Sequence, residues 1–232
     1  DNLKLLALLA RPMLPTIALG MGERGLPSRL LAARCGGYLT FATLDREHAS
    51  APGQPTVGEL LERYRYRSIS KDTAVYGVIG NPVAHSASPA IMNRAFAALG
   101  IDAVYLPFLV DDVGGFVRAF DALDVRGYSV TVPHKRGVME VVDDLDELAG
   151  KVGAVNTLAR RDDRWFGAGD SADFGGSFWG EVGEYMAEPE TCLFDLSYMA
   201  CLFWSYCCEQ MGSVLSEPEY GYDVAERFWL NV

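Results

Sequence analysis

Four short stretches of this sequence hold side chains able to act on a small polar ligand. The first is Tyr128-Ser-Val-Thr-Val-Pro-His-Lys135. Val130 and Val132 alternate with Ser129 and Thr131, the period of a strand with two different faces. Pro133 ends the ladder because it has no N–H to donate. His134 and Lys135 follow at the strand's carboxyl end, where α/β sheets bind their ligands. A lysine there can serve as a hydrogen-bond donor or in acid/base work. The plainer reading is a surface lysine opening a helix, and position alone leaves the two level. The other stretches favour a site: Ser86 and Ser88 ahead of a helix, Asn156 in Gly-Ala-Val-Asn-Thr, and Asp173 ahead of Gly175-Gly176. Each also has a structural alternative. Ser88 can cap its helix, Asn156 can tie down its own turn, and Asp173 can be a solvated residue opening a helix.

The elements that must position these residues read as alternating strands and helices. Ala74–Gly80 is a strand that stops at the Asn81-Pro82 turn. Ser88 as N-cap and Pro89 as first helical residue open a helix running to Leu99, closed by Gly100. Strands follow over Ala103–Val110 and Gly127–Val132, with a helix over Asp111–Leu123 between them. Further helices are predicted over Arg136–Val142 and Asp144–Lys151. Ala154–Arg160 and Trp165–Gly169 flank Asp162-Asp163 as a hairpin. This alternation is that of an α/β domain of about a hundred residues. Upstream, helices are predicted over Asn2–Leu9, Ser28–Cys35 and Thr56–Tyr64. Strands are predicted over Thr16–Gly20 and Tyr38–Thr43, with a turn at Met21–Gly25 and a loop at Ser50–Pro55. Two strand–helix units in series imply parallel strands.

Composition narrows the function classes. The chain has 232 residues, room for one large domain or two modest ones, and half are hydrophobic. A net charge of -11 argues against nucleic acid, whose binders need a basic stripe. A small anion held by one or two local cations stays compatible with it. No apolar leader is seen at the start, so no secretory signal is expected. The five cysteines, Cys35, Cys192, Cys201, Cys207 and Cys208, match neither a zinc site nor a small disulfide scaffold, so no metal is expected. A reduced, cytoplasmic compartment is the default, with a plastid as the alternative.

Three motifs carry a resemblance over residues 74–176. They are Gly77-Val-Ile-Gly-Asn-Pro-Val-Ala-His-Ser-Ala-Ser-Pro89, Ser129-Val-Thr-Val-Pro-His-Lys135 and Gly153-Ala-Val-Asn-Thr157. In this order they resemble the substrate-binding domain of shikimate dehydrogenase. The resemblance implies a three-layer α/β domain and a small-molecule substrate, shikimate or 3-dehydroshikimate, interconverted with NADP as cofactor. It implies that Lys135 and Asp173 stand at the reacting hydroxyl. Ser86 and Ser88 would hold the carboxylate near a helix N-terminus, where the dipole favours an anion. Thr131 and Asn156 would hold ring hydroxyls. Quinate, which differs in ring substitution, is a third ligand such a pocket could admit. The family's Gly-x-Asn-Thr-Asp-x-x-Gly stands here as Gly169-Asp-Ser-Ala-Asp-Phe-Gly-Gly176, with Ser171 and Ala172 replacing Asn and Thr. Ser129 stands where many relatives have Asn.

Residues 1–70 resemble the end of type I 3-dehydroquinate dehydratase, a (β/α)8 barrel. The carriers are Met21-Gly-x-x-Gly-x-x-Ser-Arg29, Gly36-Gly-Tyr-Leu-Thr-Phe41 and Ser50-Ala-Pro-Gly-Gln-Pro55. By this resemblance Arg29 would hold a substrate carboxylate, and Ser50 and Gln54 would close over the substrate. The family's Schiff-base lysine and catalytic histidine have no counterpart on an upstream strand. The only lysines are Lys4, Lys71, Lys135 and Lys151, and the only histidines His48, His85 and His134. The two enzymes occur fused in one chain, consecutive in aromatic amino acid biosynthesis, which accounts for the order of the segments.

Residues 177–232 depart from both families. No Gly-x-Gly-x-x-Gly follows Gly176, and 56 residues are too few for a dinucleotide domain. The apolar stretch Pro189–Cys208, interrupted by Asp195, Ser197 and Ser205, is short for a membrane span and flanked by acids, so no membrane partner is expected. It reads as a helical, divergent tail and a candidate surface for self-association. The expected architecture is thus an incomplete barrel end (1–70), a three-layer α/β substrate domain (74–176) and this tail (177–232). Two functional readings follow. One is a shikimate dehydrogenase segment joined to a dehydratase remnant without activity. The other is a shikimate-binding or degenerate chain without turnover.

Overall fold

The structure, a computed structural model, describes residues 2–161 and 163–169. Its centre is a six-stranded mixed sheet in the order β2-β1-β3-β5-β6-β4. The strands are β1 (Ala74–Gly80), β2 (Ala103–Leu109), β3 (Val125–Val130), β4 (Asp144–Leu145), β5 (Thr157–Arg161) and β6 (Arg164–Ala168). β1 pairs in parallel with β2 and β3. β5 runs antiparallel to β3 and forms a hairpin with β6. The carboxyl ends of β1, β2, β3 and β6 therefore share one edge with the start of β5. Leu106 and Phe108 face one way and Ala103 and Tyr105 the other, the two-residue period of a strand.

Helices cover both faces. Helix α3 (Ser88–Ala98) buries Met92 and Phe96 against Val78, Val83 and Tyr105. On the opposite face, α4 (Val113–Phe120) buries Val117 and Phe120 among Phe108, Tyr128, Val138 and Leu158. Phe108 meets Phe116, Phe120 and Tyr128 with ring centroids 5.2–5.8 Å apart. Such tilted and edge-to-face pairs add to the burial of apolar area. A methyl at Gly77 would lie 2.3 Å from Phe108 Cε2, so only glycine lets that ring lie over β1. Asp112 caps α4 by accepting from Gly115 N (3.0 Å). α5 (Glu147–Val152) is capped by Asp146 and closed by Gly153 in the left-handed region.

The N-terminal segment shares this core. Leu6 and Leu9 of α1 (Asn2–Leu9) join the cluster of Phe108, as do Leu30 and Leu31 at the end of α2 (Gly22–Leu30) and Leu60 and Tyr64 beyond it. α2 packs against β2, the outermost strand on that side of the sheet. Arg34 Nε donates to Thr73 O (2.9 Å), and Arg24 pairs with Asp111 (2.7 Å). A π-helical turn over Glu59–Arg63 opens with a reciprocal capping box. Glu59 N donates to Thr56 Oγ1 (3.0 Å) and Thr56 N to Glu59 Oε2 (2.8 Å).

Several expectations are corrected. Thr16–Gly20 and Tyr38–Thr43 do not form strands. One bond joins them, Tyr38 N to Thr16 O (2.9 Å), and Thr43 makes an isolated bridge with Thr56. A strand pair needs further strands or a packed face to persist. Neither segment has another strand beside it among the described residues, and Met13, Leu14, Phe41 and Leu44 stay exposed. The turn expected at Met21–Gly25 is largely helical, since α2 starts at Gly22 and stops at Leu30 rather than running over 28–35. The helix expected over 136–142 shrinks to a 3-10 turn at Gly137–Glu140, and Asp144 begins a short strand instead of a helix. Strand β3 ends at Val130, short of the expected Val132. Among the described residues no helix is long and apolar enough to cross a membrane, and no group of acidic, histidine or cysteine side chains could hold a metal. The tail and Asp173 lie outside the described residues.

Candidate functional site

The sheet's carboxyl edge gathers five of the residues singled out by sequence. Past β3, Thr131 N donates to Ile79 O (2.9 Å) and His134 N to Thr131 O (3.0 Å), which turns the chain tightly at Pro133. Asn81 N donates to Val132 O (3.0 Å), holding the ends of β1 and β3 together. A Cβ at Gly80 would lie 2.4 Å from Thr131 Cγ2, so this glycine sets where the threonine sits. His134 is buried, and its Nε2 donates to Val110 O (2.8 Å). This histidine therefore anchors the corner to the end of β2.

Lys135 comes next. Its carbonyl accepts from Val155 N (2.8 Å), and Asn156 O accepts from Val130 N (2.5 Å). The Lys135 turn is thereby stitched to the start of β5, beside the buried Asn156. The lysine side chain is half-buried and makes no ion pair or hydrogen bond among the described residues. Asn156 N donates to Ala168 O (2.9 Å), so the end of β6 and Gly169 arrive at this same edge.

Ser86 and Ser88 enter from the loop that leaves β1. Ser88 is buried and Ser86 half-buried. The helix begins at Ser88, with Ala87 in the cap position and no side-chain cap bond there, which corrects the expectation of Ser88 as N-cap. Ser86 Oγ instead accepts from Ser88 N (3.3 Å), taking one of the unpaired N–H groups of the first turn. Two polar side chains near this edge belong to no sequence motif: Asn93, inside α3, and Tyr105, on β2. Both are buried among apolar neighbours. The only signal was a carboxamide in the middle of an otherwise apolar helix face.

The N-terminal residues do not converge in the same way. Arg29 is 1% exposed, with Nε donating to Gly20 O (3.1 Å), Nη1 to Phe41 O (3.5 Å) and Nη2 to Met21 Sδ (3.4 Å). Burial pushes its guanidinium below the usual arginine range. Ser50 and Gln54 bond to each other, Ser50 Oγ to Gln54 Oε1 (3.0 Å), and neither bonds to Arg29.

Two family models match separate stretches of the chain. Residues 1–71 match the family model of type I 3-dehydroquinase, and residues 78–158 that of the shikimate dehydrogenase substrate binding domain. The chain joins a 3-dehydroquinase segment to a shikimate dehydrogenase substrate-binding segment. The chloroplastic bifunctional 3-dehydroquinate dehydratase/shikimate dehydrogenase of Arabidopsis thaliana is 47% identical over 161 residues, 69% of this chain and 27% of that protein. The NADP(+) shikimate dehydrogenase of Bacillus cereus (strain B4264) is 50% identical over 95 residues, 40% of this chain and 34% of its own. This chain thus spans about a quarter to a third of the curated relatives it matches. A Listeria monocytogenes shikimate 5-dehydrogenase, solved in complex with shikimate and NAD, aligns at a TM-score of 0.45 and 37% identity. The alignment covers 50% of this chain and 40% of that one. Thr131, Lys135 and Asn156 lie inside the matched shikimate dehydrogenase segment, as do Ser86 and Ser88.

Proposed function

We propose that the carboxyl edge of the sheet is a binding site for shikimate or 3-dehydroshikimate, the substrate side of an NADP-dependent shikimate dehydrogenase. The observation that carries this reading is the convergence of three separated motifs on one edge. Ser86 and Ser88 come from the β1–α3 loop, Thr131 and Lys135 from the β3 corner, and Asn156 from the start of β5. Ser86 and Ser88 would hold the carboxylate at the first turn of α3. Thr131 and Asn156 would orient ring hydroxyls. The Lys135 side chain, as the neutral amine, would meet the hydroxyl that becomes the carbonyl and accept its proton. Asp173 is the partner assigned to it. β6 delivers Gly169 to this edge, and Asp173 lies outside the described residues.

NADP supplies hydride chemistry in the relatives named for it, but the described residues do not fit that cofactor. A pyrophosphate cradle needs a glycine-rich turn between strand and helix with its backbone open. Here Gly77 is packed by Phe108 and Gly80 by Thr131, and the turn after β1 reads Asn81-Pro-Val-Ala-His-Ser. No hydride step is assigned to these residues. The division into a barrel end (1–70), a substrate domain (74–176) and a tail (177–232) belongs to the same proposal. On this reading the first segment is a dehydratase remnant without its Schiff-base lysine, and the compartment is the plastid, after the chloroplastic relative.

A thermal melt with and without shikimate tests the site. Ligand at a hundred times its dissociation constant adds about 2.7 kcal/mol to the folded state. A raised midpoint that disappears in Lys135→Ala is the expected result. A cooperative melt indifferent to shikimate would contradict it.

A further inference from the structure

Asn93 and Tyr105 form a chain that ties one wall of the site to the other. Tyr105 lies on β2, whose outer side has no strand beside it among the described residues. The Asn93 carboxamide takes that place. Tyr105 N donates to Asn93 Oδ1 (2.8 Å), and Asn93 Nδ2 donates to Tyr105 O (2.8 Å). The same Nδ2 donates to Pro89 O (2.7 Å) in the first turn of α3, one residue past Ser88. This amide thus uses both donors and its acceptor, and it fixes the height of α3's serine-bearing end against the sheet. The Tyr105 hydroxyl then crosses β1 to donate to Ser129 Oγ (2.7 Å) on β3. Ser129 points to the α3 face together with Thr131, two residues on, and is half-buried at the edge. Because Ser129 Oγ accepts from Tyr105, its own proton is left to donate.

We propose that Tyr105, held by Asn93, is a positioning residue that keeps the Ser86–Ser88 wall and the Ser129–Thr131 wall in register and aims the Ser129 hydroxyl at the ligand. This rests on the shikimate reading above. Tyr105→Phe removes one oxygen and leaves the ring, the burial and the Asn93 bonds in place, so its fold is retained. The test is calorimetric titration of shikimate into wild type, Tyr105→Phe, Ser129→Ala and the double variant, with the unliganded midpoint of each recorded alongside. The expected result is a dissociation constant raised roughly three- to tenfold in each single variant. In the double variant Tyr105→Phe adds nothing to the loss from Ser129→Ala. A purely structural tyrosine would shift the unliganded midpoint and leave the dissociation constant within twofold of wild type. That outcome overturns the proposal, and so do losses that simply add. If wild type itself takes up no shikimate, the reading of the site falls first and this proposal with it.

Discussion

The two halves of this chain start from similar sequence patterns and end differently. Residues 74–169 contain strands that find partners, and the period-two pattern of Ala103–Leu109 becomes a strand between two packed faces. Residues 2–71 contain Thr16–Gly20 and Tyr38–Thr43, patterned just as well, yet a single hydrogen bond joins them. Strand propensity describes fit to a pleated, half-buried surface. Among the described residues no strand lies beside these stretches, and Phe41 and Leu44 stay exposed. What keeps the first half attached is its helices, which bury Leu6, Leu9, Leu30 and Leu31 in the core of the second.

This contrast predicts one unfolding transition. The largest effect should come from Phe108→Ala, which removes a ring 1% exposed at the centre of the aromatic cluster. It should lower stability by about 3–5 kcal/mol in urea melts. Leu31→Ala, in the first half, should lower the same transition by about 2–5 kcal/mol. A separate low-stability phase affected by Leu31→Ala alone would break the shared-core account. Thr56→Ala removes half of the capping box and should cost about 1 kcal/mol.

The smallest effect concerns the Arg24–Asp111 pair at the junction. Hydrogen bonding and charge from Arg24 hold the Asp111 carboxyl below its ordinary value. A carboxyl depressed on folding stabilises the protein above its unfolded pKa of ~3.9, and that contribution is lost as pH falls through the lower folded value. The pair is exposed, so the gain is small and screened by salt. Between pH 5 and pH 2, Asp111→Asn should therefore show a slightly shallower fall in thermal midpoint than wild type. An identical fall in both would sever this link between the halves.

How much was legible follows from what each residue depends on. β1, β2 and the β5–β6 hairpin were readable because their apolar alternation and turn residues are local. Ser86, Ser88, Thr131, Lys135 and Asn156 were readable as motifs, and the parallel order of β1 and β3, with β5 antiparallel to β3, puts these positions at one edge. The strands at 16–20 and 38–43 were misjudged because their existence depends on partners that periodicity does not record. The cap of α3 was misplaced by one residue, since Ser86 Oγ satisfies a first-turn N–H in place of a cap side chain. Asn93 and Tyr105 were invisible because their partners are backbone atoms and a serine distant in sequence.

The same contrast separates two candidate anion sites, the serine-lined edge of the second half and the buried Arg29 of the first. An NMR titration of the isotope-labelled chain with shikimate addresses both at once. The account predicts saturable shifts at the amides of Ser86–Ala90, Ser129–Lys135 and Asn156, with those of Gly20–Arg29 and Ser50–Gln54 unmoved. Shifts confined to the Arg29 region, or none anywhere at millimolar shikimate, would contradict it.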